Sequence, residues 1–187
     1  MRSNMTDNRE VTMGLIHIYC GNGKGKTTAA LGLALRAAGS GMKVHFVQLL
    51  KGGKTSELES LSLIPNISVD RSNKNYGFTF KMSDDTKTQL IQCHNVLLKR
   101  AYELMNSGTI DMLIIDEFNA AYEYNLLDRN LADQIIKMKP QKIELVLTGR
   151  NPHPKFIDVA DYVSEINPIK HPYSCGQKAR KGIEFSN

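Results

Sequence analysis

The sequence predicts an α/β fold, with a mostly parallel sheet of five or six strands and helices on both faces. Three observations predict it. Short apolar runs alternate with amphipathic or Ala/Leu-rich segments along the chain. The runs are continuously apolar rather than alternating, as strands buried on both faces are. No linker, low-complexity tract or internal repeat interrupts that order. At 187 residues the chain suits one domain. We read that domain as residues 14–187, after a flexible, polar N-terminal segment over 1–13.

Each element has a local reason. Residues 15–19 (Leu-Ile-His-Ile-Tyr) form a short apolar strand that ends in a Gly-rich loop. Residues 29–38 are rich in Ala and Leu, and Gly39 and Gly41 close the helix. Residues 44–50 make a second strand and 67–69 a third. Residues 84–106 are the clearest amphipathic helix, with Leu90, Leu97 and Leu104 seven apart and His94 and Ala101 between them. Met112-Leu113-Ile114-Ile115 is a strand buried on both faces. Residues 127–138 read as a helix, 145–147 as a strand, 154–160 as a helical turn and 162–166 as the last strand. Residues 51–54 and 71–80 read as surface loops.

Composition narrows the function classes. An apolar share of 41% supports a sizeable core and excludes wholesale disorder. No apolar run is long enough to span a membrane, and the N-terminus lacks the apolar core of a signal peptide. Cys20, Cys93 and Cys175 are an odd count with wide spacing, which argues against a disulfide framework or a CxxC zinc site. The compartment reads as the reducing cytoplasm. The net charge of +5 permits a nucleic-acid partner without arguing for one.

The strongest motif is Gly21-Asn22-Gly23-Lys24-Gly25-Lys26-Thr27-Thr28, set between the first strand and the first helix. This is the context of a phosphate-binding P-loop. Glycines let successive backbone N–H groups turn around a phosphate. The helix that follows directs its positive end at the same anion. Lys26 adds a full charge, and the Thr27 hydroxyl suits Mg²⁺. The spacing departs from G-x-x-x-x-G-K-[ST]: counted from Gly21 the loop is one residue short, and Cys20 stands where the first Gly belongs. The fold class is therefore a single P-loop NTPase-like, RecA-like domain. The second constellation is the apolar strand ending in Asp116-Glu117. It places two carboxylates at the sheet's carboxyl edge, where a Mg²⁺ ligand belongs, directly or through water; a solvated strand end is the plainer reading.

Four blocks resemble the P-loop type of ATP:cob(I)alamin (corrinoid) adenosyltransferase. They are residues 21–30 with the family's own shortened loop, Val47-Gln48-Leu49-Leu50-Lys51-Gly52, and Asp111 to Glu117 with Tyr122-Glu123-Tyr124. The fourth runs from Thr148-Gly149-Arg150 through Lys170-His171 to Gly176-Gln177-Lys178-Ala179. The resemblance covers Gly14 to Phe185. It implies an alkylation in which Co(I) attacks C5′ of ATP and inorganic triphosphate leaves, giving adenosylcobalamin or an adenosylated precursor. The loop would then hold the triphosphate in reversed direction as leaving group, with Lys26 and Lys24 as catalytic charges and Thr27, Asp116 and Glu117 around Mg²⁺. The family's corrinoid-contacting segment, usually G-F-T-W, is Gly77-Phe78-Thr79-Phe80 here. Phe78 and Phe80 are therefore expected at the corrinoid, with Phe80 in the place of Trp. The resemblance also implies a homodimer and an electron-donating reductase or flavodoxin-type partner.

Other residues stay open between roles. Arg150 follows an apolar strand and reads as an ATP ligand or a surface ion pair. Gln48 and Lys51 end the second strand and are candidates to reach the nucleotide or corrinoid. His94 lies on an apolar helix face, as a satisfied core histidine does. Two rival functions remain. A P-loop kinase or ATPase would break the γ-phosphate bond. A non-enzymatic nucleotide switch or nucleic-acid-binding module would show salt-dependent binding.

Overall fold

In the computed structural model, residues 13–52, 55–74, 76 and 82–183 are described. The chain alternates strand and helix as its patterning demands. β1 (Ile16–Cys20) passes through the Gly-rich loop into α1 (Lys26–Gly39), then β2 (Val44–Gln48). Next come α2 (Ser56–Leu61), β3 (Ile67–Arg71) and the long α3 (Asp84–Ser107). β4 (Met112–Asp116), α4 (Phe118–Glu123), α5 (Arg129–Lys137) and β5 (Glu144–Thr148) follow. α6 (Pro154–Ile157), β6 (Tyr162–Glu165) and a 3₁₀ turn (Pro172–Cys175) complete the order.

All six strands are parallel, in the order β3-β2-β4-β5-β1-β6. The strand feeding the Gly-rich loop, β1, is thus separated from the Asp116 strand, β4, by β5. Two apolar layers cover the sheet. On one face, Ala30, Ala34 and Ala37 of α1 meet Phe46, Ile114 and Val146. Alanine lets this helix lie close to the strands. On the other, Leu90, Leu97, Leu98 and Met105 of α3, with Ile135 of α5, pack on Ile18, Leu113, Ile115 and Leu147. Every residue of β2 and β4 is buried, as their continuous apolar character requires.

The long helix is bounded by its caps. The Ser83 hydroxyl accepts from the Thr86 amide, and Gly108 closes the helix at φ 75°. The expected helix over 127–138 begins later, because Asp128 caps it by accepting from the Asn130 and Leu131 amides. Two short helices, α2 and α4, were not foreseen. Each spans only six residues, too few for a periodic signal. The N-terminal segment over 1–13 lies outside the described residues apart from Met13. Among the described residues no helix is long and apolar enough to cross a membrane.

Candidate active site

The Gly-rich loop is held from outside by its neighbours. The Gly21 amide donates to the Arg150 carbonyl at 3.0 Å, and the Gly23 amide to the Ile166 carbonyl at 2.7 Å. A side chain at either glycine would meet the Ile166 carbonyl oxygen, at 2.5 Å from Gly21 and 2.7 Å from Gly23. Close backbone approach is thus one physical reason for these glycines. Gly25 has φ 122° and caps α1. The first helical hydrogen bond is from the Ala29 amide to the Gly25 carbonyl. The amides of Lys26, Thr27 and Thr28 therefore precede the helical ladder and face the anion position. Lys26 Nζ folds over the loop and donates to the Gly23 carbonyl at 2.9 Å. Asn22, Lys24 and Thr28 are exposed at its rim.

Asp116 is the centre of the second half. It is completely buried, which removes the solvated-strand-end reading. Thr27 Oγ1 donates to its Oδ1 at 2.8 Å and accepts from Lys51 Nζ at 3.2 Å. Thr148 Oγ1 donates to the same Oδ1 at 2.7 Å and accepts from the Glu117 amide at 2.9 Å. Lys51 Nζ lies 2.9 Å from Oδ2. Thr148 ends β5, the strand beside β4, so its hydroxyl braces the Asp116 end of β4 from the neighbouring strand. Glu117 sits at φ 61° and begins α4.

Charges in this cluster respond to one another. Burial pushes the Lys26 ammonium below the usual lysine range, and the nearby Arg150 adds to it against the attraction of Glu117 and Asp116. Burial also raises the Glu117 carboxyl, and the Asp116 charge raises it further. Burial opposes charge on Lys51, but the attraction and hydrogen bond of Asp116, with Glu117 behind it, leave it above the ordinary value. Arg150 is exposed, yet its charge reaches both Lys26 and Glu117.

The residues around Asp116 suit a hydrated divalent ion. Thr27, Asp116 and Glu117 offer hard oxygen donors, and Mg²⁺ commonly takes one or two carboxylates with substrate phosphates and waters. Gln48 pairs in register with Asp116 and is fully buried. Among the described residues neither of its amide atoms has a hydrogen-bond partner. An orphaned amide beside the carboxylate suits a metal's water shell. No group of three or more His, Cys, Asp or Glu among the described residues forms a self-sufficient metal site, so the nucleotide would complete this one.

The structure thus brings together Gly21, Asn22, Gly23, Lys24, Gly25, Lys26, Thr27 and Thr28 with Asp116, Glu117 and Arg150. Phe78 and Phe80 lie outside the described residues. Lys51 opens the loop expected over 51–54 and turns into the cluster, in line with its expected reach toward the nucleotide, because the kink at Leu50 (φ 60°) redirects it. Thr148 and Asn119 were missed as site residues. Thr148 reads from sequence as the end of an apolar strand; only strand order places it beside Asp116. Asn119 is 1% exposed, and no described residue partners its amide. A cavity of about 700 Å³ opens beside Gly23 and Lys24 and is lined also by Ile169, Lys170, His171 and Lys178.

Loop, strand order and paired hydroxyls define a P-loop nucleotide-binding α/β protein. Solved structures share this fold. The KaiC-like protein PH0186 from Pyrococcus horikoshii OT3 superposes with a TM-score of 0.55 at 16% identity, over 83% of this chain and 73% of that one. The cytoplasmic domain of EssC gives 0.53 at 19% identity, over 90% of this chain and 34% of that one. Sequence relatives are more specific. The family described as ATP:corrinoid adenosyltransferase BtuR/CobO/CobP matches residues 12–185. The corrinoid adenosyltransferase of Escherichia coli (strain K12) is 34% identical over 92% of this chain and 86% of its own. That of Pseudomonas aeruginosa is 35% identical over 92% of this chain and 84% of its own. The chain belongs to the ATP:corrinoid adenosyltransferase family, and its activity is transfer of an adenosyl group from ATP to a corrinoid.

Proposed function

We propose that the reaction is alkylation of Co(I) at C5′ of ATP, with the Gly-rich loop holding the triphosphate as leaving group. The observation that carries this reading is the Thr27–Asp116 hydrogen bond at the carboxyl edge of the sheet, with Lys26 folded over the adjoining Gly-rich loop. The cobalt electron pair forms the Co–C5′ bond as the C5′–O bond breaks, and triphosphate keeps the bonding pair. Cobalt rises formally from +1 to +3. No proton moves in this step, so no general base is required. What the protein must supply is charge stabilisation on the departing oxygens and alignment of C5′ with cobalt. Lys26, the amides of residues 26–28 and Lys24 serve the first need, with Arg150 beside them. Thr27, Asp116 and Glu117 would hold Mg²⁺, which supplies further charge neutralisation on the triphosphate.

Phe78 and Phe80 are assigned to the corrinoid face. Aromatic rings exclude water, and Phe covers less area than the family's Trp. Residues 14–187 act as one catalytic domain. The homodimer and a reductase or flavodoxin-type donor of Co(I) belong to the same reading, as does the cytoplasm, which suits the three unpaired cysteines. The test is an anaerobic assay with chemically reduced cob(I)alamin, ATP and Mg²⁺, followed by loss of the Co(I) absorbance. The reading requires turnover that depends on Mg²⁺ and falls in Glu117→Gln. Metal-independent turnover, unaffected by that substitution, would contradict it.

A further inference from the structure

The segment after β2 is built to aim one cation. The Leu49 amide donates to the Asp116 carbonyl at 3.2 Å, and the Lys51 amide turns back to the Leu49 carbonyl at 2.7 Å. Between them Leu50 takes φ 60°, which a non-glycine residue adopts only when its surroundings enforce it. The enforcing contact comes from α3. The Leu50 amide donates to His94 Nε2 at 3.1 Å, and His94 Nδ1 donates to the Leu126 carbonyl at 2.7 Å. His94 is 1% exposed, so this anchor is internal to the core. The outcome is Lys51 Nζ between Asp116 Oδ2 and Thr27 Oγ1, at 2.9 and 3.2 Å.

Those two oxygens are the ones the metal reading requires. A divalent ion on Thr27 and an ammonium on the same hydroxyl compete for one position and repel each other strongly at this range. We propose that Lys51 is a tethered counter-ion of the metal seat, holding Thr27 and Asp116 together until metal and nucleotide arrive and then turning to the triphosphate. This rests on the metal assignment made above. It makes metal loading dependent on the nucleotide, because only the triphosphate offers the displaced ammonium a new partner. It also delivers an extra positive charge to the leaving group at the moment the site fills.

The test reads metal binding without any turnover. Mn²⁺ binding to the full chain is measured by electron paramagnetic resonance in the absence of nucleotide, for wild type, Lys51→Met and Lys99→Met, the last at an exposed lysine of α3 outside the site. Lys51→Met should bind Mn²⁺ at least ~10-fold more tightly than wild type, and Lys99→Met should change it less than ~3-fold. No gain in Lys51→Met overturns the proposal, as does an equal gain in Lys99→Met, which would mean net charge alone. Thr27→Val added to Lys51→Met should abolish the gain; if it does not, the metal lies elsewhere and the metal assignment itself fails. Should Lys51→Met not fold, amine acetylation of wild type decides. Reactivity of Lys51 should rise at least ~5-fold at saturating Mn²⁺, and unchanged reactivity overturns the proposal.

Discussion

Lys26 sits in a partly desolvated loop, where burial lowers its ammonium's pKa and each charge interaction with a phosphate is stronger than it would be in water. Lys26→Ala should therefore lower turnover at least ~100-fold, by removing charge stabilisation from the departing triphosphate. Near-native turnover in the anaerobic assay would remove Lys26 from that role. Thr148 offers a second single-residue test. Its hydroxyl satisfies both Asp116 Oδ1 and the Glu117 amide. Thr148→Val leaves both without that partner, which should cost about 1–3 kcal/mol of stability in chemical denaturation. Lys26, Thr27, Asp116 and Glu117 were legible in the sequence because each sits in a motif whose spacing has a mechanism. Thr148 was not, and Lys51 was legible only as the end of the second strand, within reach of nucleotide or corrinoid. Thr148 depends on which strand lies beside which, and Lys51 on a backbone kink that no local pattern announces.

At the scale of elements, the loop is fixed by its seat on the segment following β6. The amide of Gly23 and the carbonyl of Ile166 meet at 2.7 Å, with no room for a methyl group. Gly23→Ala should push the loop off this seat and weaken ATP binding at least ~10-fold, as isothermal calorimetry would show. Helix α3 makes a pH-dependent contribution through His94. Burial holds this imidazole below the usual histidine range, against the Leu126 carbonyl that favours its charge. The unfolded chain therefore binds the proton first. Stability from neutral His94 is present above the unfolded value near 6.5 and is lost as pH falls below it towards the folded value. Thermal unfolding at pH 7 and pH 5 should show this loss in wild type, and His94→Gln should show less of it. The amphipathic pattern of α3 and the apolar runs of β4 and β5 were legible because each period is long or unbroken. The six-residue helices α2 and α4 are shorter than two turns and leave no period to read.

At the scale of the whole molecule, β5 lies between β1 and β4; Thr27 of the loop nevertheless reaches Asp116 directly, and Thr148 at the end of β5 braces the same carboxylate. Parallel order places every strand's carboxyl end on one edge, so nucleotide, metal and corrinoid can converge there. Class and loop were legible from strand–helix alternation, but the strand order was not. Continuous apolar strands specify that they are buried on both faces, not which neighbours they take. The family relationship supplies the acceptor, and the protein's contribution reduces to directing ATP cleavage to C5′ rather than to the γ-phosphate. The most direct measurement is the fate of the phosphates when cob(I)alamin, ATP and Mg²⁺ react anaerobically with the protein. Intact triphosphate should appear mole for mole with adenosylcobalamin. Phosphate and ADP accumulating while the Co(I) band persists would contradict the account.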